Sequence, residues 1–128
     1  MSYEKSPAQR AFDISSEAAN VGFDWPQPLD VIPKLHEEIQ EIEIALRNHD
    51  DDNLIEEIGD LFFALVNLNR KANIDSDAAF HRGVDKFERR YRRLLQIIEM
   101  DGRDIHTLSP DDLETVWMTV KKEENHGR

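Results

Sequence analysis

An all-α fold is predicted by three features of the chain. Apolar residues recur at helical spacing in five segments, no stretch alternates with period two, and two neighbouring segments repeat one charged pattern nineteen positions apart. A length of 128 residues suits a single domain, residues 1–128, with its core over about residues 7–123.

The first helix is expected from Pro7 to Asn20, closed by Gly22 and followed by the turn-rich run Phe23 to Pro28. Asp30 is expected to cap the second helix, with Pro33 in its first turn, where a missing amide donor is tolerated. That helix ends near Asn48. The polar run His49 to Asn53 leads to a third helix over Leu54 to Ala72, apolar on more than one face and therefore central. Asp75 or Ser76 starts a fourth helix, whose stripe Phe80, Val84, Phe87, Tyr91, Leu94, Ile98 lasts about six turns. After a break at Met100 to Asp104, Ser109 as cap, Pro110 at the first position and Asp111 and Asp112 in the first turn mark a fifth helix. It carries Leu113, Val116, Trp117 and Val120 and is expected to fray after Glu124.

A formal charge of −11 argues against nonspecific binding to nucleic acid, because a phosphate backbone rewards clustered Lys and Arg. The absence of cysteine excludes disulfides and thiolate metal sites. No run approaches the ~20 apolar residues of a membrane span, and the first residues lack the apolar stretch of a signal peptide. A soluble cytoplasmic protein with no nucleic-acid or membrane partner is expected.

The repeat carries the chemistry. Leu35, Glu37, Glu38, Ile39, Ala45, Leu46 and Asn48 recur as Leu54, Glu56, Glu57, Ile58, Ala64, Leu65 and Asn67, and Glu41 recurs as Asp60. The stripes Leu35, Ile39, Ile42, Leu46 and Leu54, Ile58, Leu61, Leu65 are expected to pack on each other, flanked in matched phase by Glu38 with Glu41 and Glu57 with Asp60. Each acid pair is spaced i, i+3 and shares a face. Four carboxylates converging beside a core need a cation. Glu37, Glu43 and Glu56 point farther from the stripes and read as surface. Oxygen donors without Cys or a matching His indicate Mg²⁺, or Mn²⁺ in its place, rather than Zn²⁺. Four acids exceed what one magnesium takes from a protein, which suggests two or more ions bridging a phosphate. A di-iron bundle would need Glu-x-x-His pairs on two helices, and the one such spacing is Glu123 to His126 in the tail.

Lys86 and Arg90, at i and i+4, either clamp a polyphosphate or pair with neighbouring acids. Trp117, with Lys121 one turn beyond, is either core or a platform for a base. Asn67 lies on the acid side of its helix, as a ligand, a supporting donor or the cap of a neighbouring carbonyl.

With these blocks the sequence resembles the MazG-like nucleoside triphosphate pyrophosphohydrolases. Glu37 to Glu41 followed by Glu57 to Asp60 matches the E-E-x-x-E and E-x-x-D signature of that family, and Val21 to Trp25, Gly59 to Leu68, Lys86 to Arg92 and Val116 to Lys121 are similar to successive parts of the second of two tandem domains in bacterial MazG. The resemblance implies a MazG-like helical bundle of about five helices that forms homodimers or higher homo-oligomers. It implies Glu38, Glu41, Glu57 and Asp60 as magnesium ligands, Lys86 and Arg90 on the triphosphate, and Trp117 with Lys121 at the nucleoside end. Val84 stands two positions before the clamp lysine, where relatives often have Asn.

The expected function is Mg-dependent hydrolysis of a ribo- or deoxyribonucleoside triphosphate to the monophosphate and pyrophosphate by attack of water at the α-phosphate. Two rivals stand beside it. One is a specialised member of the superfamily, a phosphoribosyl-ATP or dUTP pyrophosphohydrolase. The other is a noncatalytic helical module that binds nucleotide or a partner protein.

Overall fold

A computed structural model describes residues 4–126. Its helices are α1 (Pro7–Asn20), α2 (Ile32–Arg47), α3 (Asp51–Lys71), α4 (Ser76–Met100) and α5 (Pro110–His126), with short 3-10 turns at Pro28–Val31 and Ile105–Thr107. Among the described residues there is no strand, and no helix is long and apolar enough to cross a membrane. The chain divides between Ala79 and Phe80 into two compact units.

In the first unit the Ser6 side chain accepts from the Gln9 amide at 3.0 Å and Pro7 fills the first position of α1. Beyond α1, Gly22 takes the left-handed φ of +90° that lets the chain turn away. Asp30 does not cap α2 as expected. Its carboxylate accepts from the Gln27 amide at 2.9 Å and closes the 3-10 turn, out of which α2 grows directly because Val31 is already helical. Val31 is fully buried there. The helix α3 starts three residues before the expected Leu54, since Asp50 accepts from the Asn53 amide at 3.2 Å and Asp51 and Asp52 sit well in a first turn. A link of three residues, with His49 at a φ of +53°, leaves α2 and α3 as an antiparallel hairpin.

The faces that pack differ from those expected. On α2 the buried and half-buried positions include Leu35, Glu38, Ile42 and Ala45; on α3 they include Leu54, Glu57, Leu61, Ala64 and Leu68. Both sets step by three and four residues, the seam of a left-handed helix pair. Ile39, Leu46, Ile58 and Leu65, expected inside, are exposed. The small Ala45 and Ala64 let the helices approach along this rotated seam, and Glu38 and Glu57 consequently occupy seam positions rather than flanks.

The turn after α1 is tied to the end of α3 by charge. Asp24 receives the Arg70 guanidinium and, at 3.0 Å, the Lys71 ammonium, while the Trp25 amide donates to it at 2.8 Å. Arg70 also donates to the Asn67 side-chain oxygen at 3.1 Å. The guanidinium hydrogen bond holds the Asp24 carboxyl well below the usual carboxylate range.

In the second unit, Leu94 and Ile98 of α4 pack on Val116 and Val120 of α5. Ser109 and Asp112 cap α5 reciprocally, each side chain accepting from the other's amide at 3.1 Å. The tail expected to fray after Glu124 is helical to His126, and Glu123 and Glu124 bind Arg93 and Arg90 at 2.9 and 2.8 Å. The apolar stripe of α4 is buried at Leu94 and Ile98, whereas Phe80, Val84, Phe87 and Tyr91 are exposed. Within their unit, the Phe87 ring meets Trp117 of α5, with centroids 5.3 Å apart.

Replacing Asp24 by Ala leaves two cations facing each other with little solvent, at a cost of about 2–3 kcal/mol in urea unfolding at neutral pH. Because the folded pKa is depressed, the stability that Asp24 contributes is complete above its ordinary value of 3.8 and is lost as pH falls below it. The gap between wild type and Asp24→Ala is expected to narrow in acid.

Candidate metal centre

Three of the four expected acids converge. Carboxylate oxygens of Glu38 from α2 and of Glu57 and Asp60 from α3 all lie within 4.8 Å of one another. The rotated seam places them so: Glu38 and Glu57 hold equivalent slots of the two helices, and Asp60 stands one turn beyond Glu57. Burial grades across the cluster, with Glu38 only 4% exposed, Glu57 half-buried and Asp60 exposed. Glu41 is half-buried and lies outside the three-oxygen cluster, though its charge still acts on Glu57.

The electrostatics are those of an anionic site short of positive charge. Glu57 is pushed up to about 7, first by its hydrogen bond with Glu38, then by burial and by the charges of Glu38, Asp60 and Glu41. Lys34, one turn before Glu38 on α2, places its ammonium 3.0 Å from Glu38 Oε1 and 3.5 Å from Glu37. Its pKa is raised, chiefly by the hydrogen bond with Glu38. The other oxygen, Glu38 Oε2, is buried without any hydrogen-bond partner. A buried carboxylate oxygen with no donor is costly in a finished structure and is what a metal ligand needs. The donor set consists of hard oxygens alone and fits a divalent cation that prefers them.

The remaining expected residues are placed as follows. Asn67 is 1% exposed; its amide nitrogen donates to the Phe63 carbonyl at 3.1 Å and its oxygen accepts from Arg70. In the second unit Lys86 is exposed, and Arg90 is half-buried and paired with Glu124 at 2.8 Å. Trp117 is half-buried with its ring centroid 5.3 Å from that of Phe87, and Lys121 one turn on is half-buried. Sequence reasoning passed over Lys34, although its i, i+4 spacing to Glu38 was a usable signal.

The chain also matches known proteins. A family model described as the MazG nucleotide pyrophosphohydrolase domain matches residues 27–95, more than half of the chain and all of α2 and α3. A nucleoside triphosphate pyrophosphohydrolase of Escherichia coli K12 is 38% identical over 117 residues, which are 90% of this chain and 44% of that protein. A nucleoside triphosphate pyrophosphohydrolase/pyrophosphatase MazG of Thermotoga maritima is 37% identical over 108 residues, 84% of this chain and 41% of that protein. The chain thus spans under half the length of these curated relatives.

A raised carboxyl pKa has a direct consequence for stability. The folded chain holds a proton on Glu57 that the unfolded chain releases, so the stability this group contributes is full below about 4.5 and is lost as pH rises towards about 7. In chelator, thermal unfolding is expected to show this decline, Glu57→Gln to remove it, and millimolar MgCl₂ to offset it at pH 7 and above.

Proposed function

The chain belongs to the MazG nucleotide pyrophosphohydrolase domain family, and on that premise we propose that it hydrolyses nucleoside triphosphates to the monophosphate and pyrophosphate in a magnesium-dependent reaction. The observation that carries the proposal is the convergence of Glu38, Glu57 and Asp60 around a buried carboxylate oxygen with no partner. Those three side chains, with Glu41 beside them, would hold Mg²⁺, and Mn²⁺ would substitute. When bound, the cation supplies Lewis-acid polarisation of the α-phosphate and a lowered pKa for water.

The protein's own groups would do the rest. Water attacks the α-phosphorus, the bond from that phosphorus to the bridging oxygen breaks, and pyrophosphate leaves with the electron pair. One of the carboxylates, Glu41 or Glu38, takes the proton of the attacking water. Lys86 and Arg90 bind polyphosphate oxygens and stabilise charge on the leaving group, with Arg90 exchanging its Glu124 partner for phosphate. Trp117 and Lys121 receive the nucleoside end. Asn67, buried and bonded to Arg70, supports the site through α3 rather than by touching substrate.

The chain would work as a homodimer or higher homo-oligomer. A second copy is the occupant that best suits the exposed stripe Phe80, Val84, Phe87 and Tyr91, whose ring and branched side chains are too many for an isolated surface helix. Light scattering at micromolar concentration is expected to give at least twice the chain mass of 14.9 kDa, and a monomer would contradict this.

Pyrophosphate release from a panel of ribo- and deoxyribonucleoside triphosphates, with and without Mg²⁺, tests the activity and separates a broad enzyme from one dedicated to dUTP or phosphoribosyl-ATP. Glu38→Gln and Asp60→Asn are expected to lower turnover by at least about 100-fold. Unchanged turnover at saturating magnesium in both variants would sink the assignment.

A further inference from the structure

The two acids in the last turns of α5 hold their arginines differently. Glu123 grips Arg93 with both oxygens, accepting from Nε at 2.9 Å and from Nη2 at 3.0 Å. A two-point pair of this kind is among the strong contacts a carboxylate makes, and it anchors the end of α5 on α4. Glu124 divides itself instead. One oxygen accepts from Arg89 Nε at 3.2 Å and the other from Arg90 Nε at 2.8 Å, so neither arginine receives a full pair. The hydrogen bond from Arg90 holds the Glu124 carboxyl below its ordinary value, which keeps it charged at neutral pH.

The division matters because of where Glu124 lies. It follows Lys121 by three residues and Trp117 by seven, on the same side of α5, and it touches Arg90. An acid thus stands among the residues proposed to bind substrate. A phosphate that reaches Arg90 either displaces Glu124 or settles beside its charge, and the carboxylate opposes it in both cases. Arg89 gives the displaced carboxylate somewhere to go. Its side chain is 61% exposed, against 16% for Arg90, and it stands one turn before Arg93 on the same face of α4. Arg89 is therefore free to close on Glu124 the two-oxygen pair that Arg93 already makes with Glu123.

We propose that Glu124 is a built-in competitor for the polyphosphate and passes from Arg90 to Arg89 when substrate binds. The inference rests on the proposed reading of Arg90 as a polyphosphate ligand. Glu124 weakens substrate binding by occupying Arg90, and Arg89 relieves that competition by drawing Glu124 away. Glu123 and Arg93 keep the end of α5 docked throughout. A static brace would behave in the opposite way, because removing either member would loosen α5 and weaken binding.

The test is steady-state hydrolysis, in saturating MgCl₂, of a triphosphate that the wild type accepts, with calorimetric binding of inorganic tripolyphosphate in the same buffer, for Glu124→Gln, Arg89→Gln and the double variant. These changes leave the core of Leu94, Ile98, Val116 and Val120 intact, and thermal unfolding checks that each protein is folded. Glu124→Gln is expected to lower both KM and the tripolyphosphate Kd about three- to fivefold, the worth of one partly exposed charged contact. Arg89→Gln leaves Glu124 to Arg90 alone and is expected to raise both by a similar factor. In the double variant Arg89 has nothing to draw away, so both constants are expected to match those of Glu124→Gln. Weaker binding in Glu124→Gln overturns the inference, as do single variants indistinguishable from wild type or a double variant that keeps the Arg89→Gln penalty. These outcomes leave the proposed activity standing. A wild type that binds tripolyphosphate but hydrolyses no triphosphate overturns the activity, while the tripolyphosphate constants still decide the role of Glu124. A wild type that does neither overturns both.

Discussion

Two glutamates sit in the packing seam of a helix hairpin, at positions that such seams ordinarily reserve for aliphatic side chains, and the rest of the first unit is arranged around that placement. Glu38 and Glu57 share their seam with Leu35, Ile42, Ala45, Leu54, Leu61 and Ala64. The alanines bring the helices close, and closeness sets the carboxylates against each other. The seam could have been filled at lower electrostatic cost by leucine. Holding the acids there requires compensation, which the chain supplies from Lys34 on one side and from the raised pKa of Glu57, hydrogen-bonded to Glu38, on the other. Lys34 meets Oε1 and does not reach Glu38 Oε2.

Much of this was legible in the sequence. The nineteen-residue repeat showed that the two helices carry matched acids, and i, i+3 spacing showed that each pair shares a face. The phase was not legible. Periodicity weighted by hydrophobicity selects Ile39, Leu46, Ile58 and Leu65, yet the buried side of a tightly linked hairpin is decided by how closely two backbones approach, and that favours Ala45 and Ala64. The same bias placed Phe80, Val84, Phe87 and Tyr91 in the core, whereas they are exposed. Element boundaries failed where a local hydrogen bond outweighed propensity: Asp30 closing a 3-10 turn, and Asp50 starting α3 early. The Asp24 contact with Arg70 joins residues 46 positions apart, beyond any pattern that helical periodicity can show.

The two units solve their charge problems differently. In the second unit Arg89, Arg90 and Arg93 face Glu123 and Glu124 across α4 and α5, so opposite charges meet in pairs. At the end of α3, Asp24 meets Arg70 and Lys71, again with both signs present. In the acidic centre the signs are unequal, three or four carboxylates to one ammonium. A helix network selected only for stability would balance them.

Helix dipoles do not relieve that imbalance. Asp51 and Asp52 lie in the first turn of α3 and Arg70 and Lys71 in its last, each favourably placed for the macrodipole. Glu57 and Asp60 fall between these ends, and the dipole's influence fades within a turn of either terminus. Glu38 and Glu41 likewise occupy the middle of α2. The carboxylates are therefore positioned where the backbone offers least help and where the seam removes solvent. What neutralises them is a proton, the Lys34 ammonium or a bound cation. At neutral pH and above, where Glu57 releases its proton, the burden falls on the last two. The same lack of local compensation that destabilises the centre is what would draw a divalent ion into it.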